Sequence, residues 1–273
     1  MPELPEVETI IRRLKGGGGA PSVVGQRIQS VEVNWGKIIA LPDPSQFKQN
    51  LIGKTIIDAK RRGKFMHFPL DIGHLFAHLR MSGDMRLEKK LESVEPYDRV
   101  LLNFSEDYRM VFSNIRKFGR IWYTNDPKDV IGKLGPEPLS ENFTPQHLYE
   151  ELQAHSRQIK PLLMDQTFIA GLGNIYTDEA LYISGIHPMR PSDSLTKADA
   201  EHLHHAIQNV LREGIRSLGA SIDWIYRGGQ FQNYFKVYKK EGTPCPRCGT
   251  SIEKIKVGQR GTHFCPRCQI FKE

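Results

Sequence analysis

All four cysteines of this 273-residue chain lie near its carboxyl end, in the spacing Cys245-x2-Cys248-x16-Cys265-x2-Cys268. Two Cys-x-x-Cys pairs at such a separation supply four thiolates to one tetrahedral zinc ion. Because four protein ligands leave the metal no open position, the spacing predicts one structural zinc ion and not a catalytic one.

The cysteines lie in a strongly basic stretch. Residues 236–273 carry nine Lys or Arg and three Glu, so they hold most of the formal net charge of +7. This excess favours a module that faces phosphates over a merely solvated tail. Residues 257–263 predict a β-hairpin with Arg260 at its tip, where it is either a solvated turn residue or a side chain that enters a groove.

The rest of the composition is that of an ordinary globular protein, with 39% hydrophobic and 25% charged residues. No apolar run approaches the ~20 residues that a bilayer-spanning helix needs. The acidic, proline-containing amino terminus is unlike a signal or transit peptide. We therefore expect a cytoplasmic protein with no membrane partner.

The pattern of secondary structure changes near residue 126. Before it, turn residues separate short apolar runs, which predict a β-sandwich or barrel after one helix from about Pro5 to Leu14. The predicted strands lie at 31–33, 55–57, 65–68, 100–104 and 110–112. After residue 126, Thr144-Pro145 and a capping box that begins at Thr196 open helices. We expect three domains, over 1–126, 135–234 and 235–273.

The amino terminus carries a candidate nucleophile. Removal of Met1 would leave Pro2 with a free secondary amine, and an α-amino group has an ordinary pKa of roughly 8 against roughly 10.4 for lysine. Such an amine can attack a carbon electrophile and form an iminium. Glu3 follows directly, although acidic residues in a first helical turn are also ordinary partners of the helix dipole.

The first nine residues, Met-Pro-Glu-Leu-Pro-Glu-Val-Glu-Thr, closely resemble the start of the bacterial formamidopyrimidine-DNA glycosylases. Six further stretches match this family in order, at 61–65, 78–83, 115–119, 134–139, 165–176 and 261–266. The resemblance runs from residue 1 to about 269. It implies an α+β multidomain protein with an N-terminal β-sandwich, a helical helix–two-turn–helix domain and a C-terminal zinc-finger β-hairpin, with DNA in the cleft between the lobes.

The resemblance also implies an activity. Members of this family are bifunctional DNA glycosylase/AP lyases of base excision repair that flip oxidised purines out of the duplex. Pro2 would attack C1′ of the damaged nucleoside and Glu3 would move protons, after which β,δ-elimination cuts the strand. Lys64 and Arg260 match the two cations of the elimination chemistry; without the family, Lys64 would be a solvated lysine. The implied partner is double-stranded DNA with a damaged base or abasic site, bound by a monomer.

Several residues match DNA contacts of the family. Met81, Arg116 and Phe118 resemble the triad that fills the space left by the extruded base, and we call them the void-filling residues. Without the family, Met81 would be a core residue and Phe118 a strand residue. The remaining expected contacts, two of which replace a different family residue, are Asn174, Lys160, Tyr97 in place of His, and His155 in place of Lys.

Two features depart from the family, and two alternatives stay open. Residues 16–22 look like an insertion, and residues 221–231 are shorter than the loop that closes over the extruded base. The first alternative is an endonuclease VIII-like glycosylase for oxidised pyrimidines. The short loop argues for it, whereas the start Leu4-Pro5 and the complete void-filling set argue against it. The second is a non-catalytic zinc-finger DNA-binding protein, which intact Pro2 and Lys64 argue against.

Overall fold

The computed structural model describes residues 1–16, 21–104, 107–221 and 228–271. Trp224 and Tyr226 of the shortened loop, and residues 17–20 of the insertion, lie outside these ranges. The chain forms two compact units, Met1–Lys133 with Ser221–Gly229, and Leu134–Ala220 with Gln230–Glu273. Among the described helices, none has the length and apolar character needed for a bilayer crossing. The three-domain division stays a prediction, because the cysteine-rich segment clusters with the helices.

The first unit is a β-sandwich, as predicted. One sheet has the strand order β1-β7-β8-β6 and the other β2-β9-β5-β4-β3, and all pairs are antiparallel except β2 with β9. The strands are β1 Ile28–Val33, β2 Ile39–Leu41, β3 Lys60–Arg62, β4 Phe65–Pro69, β5 His74–His78, β6 Gly83–Lys89, β7 Asp98–Phe104, β8 Tyr108–Asn114 and β9 Arg120–Thr124. Apolar side chains of both sheets share one core that includes Phe68 and Phe104, so burial of these facing surfaces stabilises the sandwich.

Helix α1, Leu4–Lys15, opens this unit and begins one residue before the predicted start. Its apolar residues recur at helical spacing and are buried, and Gly16 ends it with a φ of 69°. Two further helices of this unit are α2, Pro44–Leu51, and α3, Lys128–Ile131.

One predicted strand is wrong. Thr55 and Ile56 form only isolated bridges, Thr55 with Arg27 and Ile56 with Leu70. Because these successive residues pair with different neighbours, no ladder continues along either one. A short apolar run does not distinguish such a segment from a strand.

The second unit contains the remaining helices, α4 Pro145–Gln153, α5 Ile159–Met164, α6 Asn174–Ser184 and α7 Lys197–Arg216. The Thr144 hydroxyl accepts from the N–H of His147, and Thr196 forms a capping box with Asp199, which confirms both predicted helix starts. Residues 175–182 of α6 are all buried, so this helix lies at the centre of the unit.

The predicted hairpin is present in the cysteine-rich segment. Strands β10, Glu253–Val257, and β11, Arg260–Phe264, pair antiparallel across a turn of Gly258 and Gln259. Both turn residues have positive φ, 52° and 63°, as a two-residue hairpin turn of the primed type requires. Arg260 is exposed at the tip.

Candidate functional site

Glu3 occupies the N-cap of α1, directly after half-buried Pro2. Glu3 is 2% exposed, and its N–H donates to Oε2 of Glu6 at 2.7 Å within a reciprocal capping box. The positive end of the helix dipole stabilises a carboxylate at this position. The capping box therefore fixes a buried carboxyl group next to the predicted nucleophile.

Lys64 lies in the two-residue turn between β3 and β4 and is 4% exposed, so it is not the solvated lysine of the alternative interpretation. Arg61 connects this turn to α1, since its Nε donates to Glu8 at 3.1 Å and its Nη1 to the carbonyl of Gly63 at 3.1 Å. Burial alone would raise the pKa of Glu8, but hydrogen bonds from Arg12 and Arg61 hold it below its ordinary value. Glu8 therefore stays ionised and fixes the arginine.

His78 is a buried residue of this region that the sequence did not single out. Its Nδ1 accepts from the N–H of Arg80 at 3.0 Å, and its ring meets Phe65 edge-to-face at 4.7 Å. Burial, followed by the positive charges of Arg80 and Lys64, lowers the pKa of His78 to about 3. His78 is thus a neutral imidazole at physiological pH and adds no charge beside Lys64.

The void-filling residues lie on two adjoining loops of the first unit, after β5 and after β8. Met81 is 39% exposed and Phe118 56%, so neither is the core or strand residue that the alternative interpretation expects. Nη1 of exposed Arg116 lies 3.7 Å from Sδ of Met81. Two exposed apolar side chains beside a guanidinium provide stacking surface and base-edge donors, which replacement of an extruded base requires.

Two neighbours flank this surface. The ammonium of Lys117 lies 4.0 Å from the ring centroid of Trp35, which is a cation–π contact. Tyr97, a predicted DNA contact, is 46% exposed, and the guanidinium of Arg99 lies 6.0 Å from its ring centroid. Tyr97 is thus exposed, and its contact with DNA stays a prediction.

In the second unit, Asn174 is the first residue of α6. Its Nδ2 donates to the carbonyl of Gly261 at 3.0 Å, and its buried Oδ1 has no hydrogen-bond partner among the described residues. The amino end of α6 also presents main-chain N–H groups and the positive end of its dipole. This arrangement suits a phosphate and joins the helix end to the hairpin residue beside Arg260.

Lys160, a predicted DNA contact, lies inside α5, and its side chain is fully buried. Its ammonium donates to Oδ1 of Asp178 at 2.6 Å, to the hydroxyl of Thr262 at 2.8 Å and to the carbonyl of Gly261 at 3.2 Å. With its three hydrogens engaged, Lys160 holds the hairpin and presents no donor to a phosphate, so the predicted direct contact requires correction.

His155 is half-buried at the end of α4. Its ring lies edge-to-face on Phe168, and its Nδ1 lies 2.8 Å from the carbonyl of Glu151. Because a carbonyl only accepts, Nδ1 carries the proton, and Nε2 of the neutral ring has none to donate. His155 can therefore donate to a phosphate through Nε2 only when the ring is protonated.

The four cysteine sulfurs form a compact cluster. The Sγ atoms of Cys245 and Cys268 are 3.8 Å apart, those of Cys248 and Cys265 are 3.5 Å apart, and all lie within 4.8 Å of one another. A tetrahedral ion with Zn–S bonds of about 2.3 Å needs sulfurs about 3.8 Å apart. The thiolates thus fit one zinc ion that cross-links the base of the hairpin.

Helix α6 carries further residues that the sequence did not identify. The buried carboxylate of Glu179 accepts the consecutive N–H groups of residues 236–238 at 2.9, 3.0 and 2.9 Å. Arg247 donates to the carbonyls of Tyr182 and Ile183 at the other end of α6, at 2.9 and 2.8 Å. An acidic pair at 178–179 inside an apolar helix is the sequence signal that could have found them, since buried carboxylates need partners.

Comparisons with protein families cover most of the chain in three consecutive segments. Residues 1–121 match the formamidopyrimidine-DNA glycosylase N-terminal domain, and residues 134–224 match the H2TH domain of that glycosylase. Residues 242–270 match a zinc finger found in FPG and IleRS. This last match and the sulfur geometry confirm the predicted zinc site.

Individual relatives are similar over their whole length. Formamidopyrimidine-DNA glycosylases from Geobacillus kaustophilus and Pelotomaculum thermopropionicum are each 42% identical, covering 98% and 100% of this chain and 100% of each relative. A Lactococcus lactis Fpg structure with N7-benzyl-Fapy-dG DNA has a TM-score of 0.91 at 39% identity, covering 98% of this chain and 100% of that one. A MutM structure with carbocyclic 8-oxo-G DNA has a TM-score of 0.91 at 40% identity and the same coverage.

Proposed function

Because this chain belongs to the formamidopyrimidine-DNA glycosylase family, we propose that it is a bifunctional DNA glycosylase and AP lyase of base excision repair. Its substrates are oxidised purines, namely formamidopyrimidines and 8-oxoguanine, in double-stranded DNA. The observation that carries the proposal is the presence in one unit of a buried carboxyl at Glu3, directly after Pro2, and of the exposed void-filling residues. The first supplies the chemistry and the second supports base extrusion.

The reaction begins at Pro2 once Met1 has been removed. The secondary amine attacks C1′ and gives up its own proton, the bond from C1′ to the base breaks, and the base takes up a proton as it leaves. Glu3 protonates the opening sugar ring at O4′, and the nitrogen lone pair forms a cationic iminium. The iminium withdraws electrons and acidifies the C2′ protons, so loss of one proton expels the 3′ phosphate. A second elimination then expels the 5′ phosphate.

The surrounding residues divide the other tasks. Lys64 and Arg260 balance the charge of the phosphates that leave during the two eliminations, and Arg116 donates to the cytosine opposite the lesion. Asn174 and the amino end of α6 bind a phosphate. Tyr97 adds a phosphate or sugar contact, and His155 adds one when it is protonated.

The zinc ion has a structural task in this assignment. Cys245, Cys248, Cys265 and Cys268 hold it, and the bound ion keeps the hairpin folded so that Arg260 stays at its tip. We assign catalysis to residues 1–126, phosphate binding to 135–234 and the finger contact to 235–273. The protein acts as a monomer in the cytoplasm, associated with the nucleoid.

Borohydride trapping on DNA with an abasic site tests the proposal. Reduction of an iminium fixes the enzyme covalently to DNA, and a purely DNA-binding zinc-finger protein forms no such bond. We expect efficient trapping and a cross-linked peptide that begins at Pro2. A cross-link at Lys64, or efficient trapping by protein that retains Met1, would contradict the assignment of the nucleophile.

A substrate panel tests the lesion class. Values of kcat/KM should be higher for formamidopyrimidine and 8-oxoguanine opposite cytosine than for oxidised pyrimidines, and the reverse order would identify an endonuclease VIII-like enzyme. The shortened loop at 221–231 further predicts a larger preference for formamidopyrimidine over 8-oxoguanine than long-loop relatives have. Each backbone donor missing from such a loop removes roughly 0.5–1.5 kcal/mol of base recognition.

A further inference from the structure

The two loops that carry the void-filling residues share one buried side chain, that of Asn114 at the end of β8. Asn114 is 0% exposed. Its Nδ2 donates to the carbonyl of Leu79 at 2.9 Å, in the loop of Met81. Its Oδ1 accepts from the N–H of Phe118 at 2.9 Å, in the other loop. One amide thus bonds to the backbone of both loops. The bonded residue of the first loop is two positions before Met81, and that of the second loop is Phe118 itself.

The main chain of Asn114 makes two more connections. Its N–H donates to the carbonyl of Tyr97 at 2.9 Å, and its carbonyl accepts from Nε of Arg99 at 3.0 Å. The Nη1 of Arg99 in turn donates to the carbonyl of Pro96 at 3.0 Å. The residue that joins the two loops is therefore itself held to the segment that presents Tyr97.

Two glycines leave the space that this amide occupies. A Cβ at Gly83 would lie 2.7 Å from Nδ2 of Asn114 and 2.7 Å from the carbonyl oxygen of Leu79. A Cβ at Gly119 would lie 2.8 Å from Nδ2 and 2.7 Å from the ring of Phe112. Real side chains do not approach so closely, so the amide is packed between two backbones and has no room to rotate.

We propose that Asn114 is a positioning residue that makes the two loops one rigid body, so that Met81 and Phe118 enter the duplex together. This inference rests on the proposed function, since it needs an extruded base. Successive bases are about 3.4 Å apart along a strand, so loops that shift independently by an ångström would no longer fit one vacated step. A buried amide bonded on both sides resists such a shift, because breaking either bond strands a buried polar group.

A mutant cycle measures the coupling. Met81→Ala, Phe118→Ala and the double variant are made with Asn114 and with Asn114→Ala, and single-turnover excision of 8-oxoguanine opposite cytosine is timed. With Asn114, we expect the second truncation to slow excision less than threefold beyond the first, because residues that act as a unit lose their effect together. With Asn114→Ala, the rate loss of the double variant should equal the product of the rate losses caused by Met81→Ala and by Phe118→Ala. The proposal is wrong if the combined effect of the two truncations departs from the product of the single effects by the same factor with Asn114 as with Asn114→Ala.

Three controls separate positioning from general damage. Asn103→Ala removes a half-buried amide on neighbouring β7 that bonds only to Ser30 and Glu32 among the described residues, and should behave as the native enzyme does. Asn114→Leu keeps the volume without hydrogen bonds and should lose the coupling as Asn114→Ala does. Borohydride trapping on abasic DNA should stay within about twofold in both Asn114 variants. If the native protein is not trapped on DNA, the proposed function is refuted. If the native protein is trapped but the Asn114 variants keep the native coupling, only the role of Asn114 is refuted.

Hydrogen exchange in the native protein needs no variant. The N–H of Phe118 donates to Asn114, and that of Ile115 lies 3.4 Å from the carbonyl of Ser82 in the other loop. Both amides should exchange slowly, because the bond of Ile115 opens only when the loops separate and the bond of Phe118 opens only when the Asn114 side chain leaves its place. A Phe118 amide that exchanges as fast as an unprotected loop amide would overturn the proposal.

Discussion

The two units hold their functional residues by different physical means. In the first unit the predicted void-filling residues are exposed, and a neutral buried amide, Asn114, holds their loops. In the second unit the hairpin with Arg260 is held by buried ions, the ammonium of Lys160 and the carboxylate of Asp178. A single truncation that leaves a buried neutral hydrogen-bonding group unpaired costs about 1–3 kcal/mol, whereas one that leaves a buried ion unpaired costs about 3–5 kcal/mol. The second unit should therefore be the less tolerant of single truncations.

Removal of zinc should have the largest effect and should reach the second unit alone. Metal binding at such sites contributes about 10–16 kcal/mol at neutral pH, so Cys248→Ser or a strong chelator should unfold the hairpin and abolish specific DNA binding. Metal analysis should find about one zinc per chain in the native protein, as a closed four-thiolate site requires. Restoring zinc after chelation should restore binding to the native chain but not to Cys248→Ser. Full affinity in the zinc-free protein would show that the hairpin holds its shape without the metal.

Lys160→Met should destabilise the second unit by about 3–5 kcal/mol, because Asp178 would remain buried without its ammonium. Denaturant unfolding measures this loss. The slope of log affinity against log salt concentration should stay unchanged, whereas loss of a phosphate contact lowers it by about 0.9. The matched control is Arg260→Ala. Arg260 is exposed and two residues from Thr262, and its removal should lower the slope. A lowered slope for Lys160→Met would reinstate the direct phosphate contact.

The contrast between Lys160 and the cysteines shows what a sequence can specify. Ligand spacing fixes a metal site because one short hairpin brings both cysteine pairs together, so the zinc site and hairpin were predictable. Helix starts at Thr144 and Thr196 were predictable for a similar reason, since capping is local. The burial of Lys160 depends on Asp178 and Thr262, which are distant along the chain, and no local pattern encodes that pairing.

The same limit applies to the first unit. Motif resemblance identified Met81, Arg116 and Phe118 as a set, and the structure adds that they are exposed on adjoining loops. Asn114 and His78 escaped notice because an asparagine or histidine in a strand is ordinary, and only the packed structure shows which backbone groups they meet.

Arg116→Ala tests whether the first unit reads the opposite base. Good base-edge pairs contribute about 1–3 kcal/mol of discrimination, so the ratio of kcat/KM for lesions opposite cytosine and opposite adenine should fall about 5- to 150-fold. Lys117→Ala is the matched control, because its ammonium lies on Trp35 and it should leave the ratio unchanged. If Arg116→Ala also leaves the ratio unchanged, the discrimination belongs to other residues.

Replacement of His78 should have the smallest effect, on the pH dependence of the unfolding free energy. His78 is a buried neutral group, unlike the buried ions of the second unit. Burial and the nearby cations Arg80 and Lys64 lower its pKa to about 3, so the folded protein keeps the ring neutral while the unfolded chain protonates it near pH 6.5. The unfolded state therefore binds more protons between these values. The stability from His78 is fully present above about pH 6.5 and is lost as pH falls toward 3.

Unfolding free energies measured between pH 7 and pH 5.5 test this dependence. His78 should account for a loss of roughly 1 kcal/mol across that interval, and His78→Asn, which keeps an acceptor for the N–H of Arg80, should remove that part of the slope. Asn233→Ala, which removes an exposed side chain that does not titrate, is the control and should keep the native profile. If His78→Asn has an equally steep profile, the His78 ring of the native protein takes up its proton as readily in the folded state as in the unfolded state. Lys64 would then have a second cation as a neighbour at low pH.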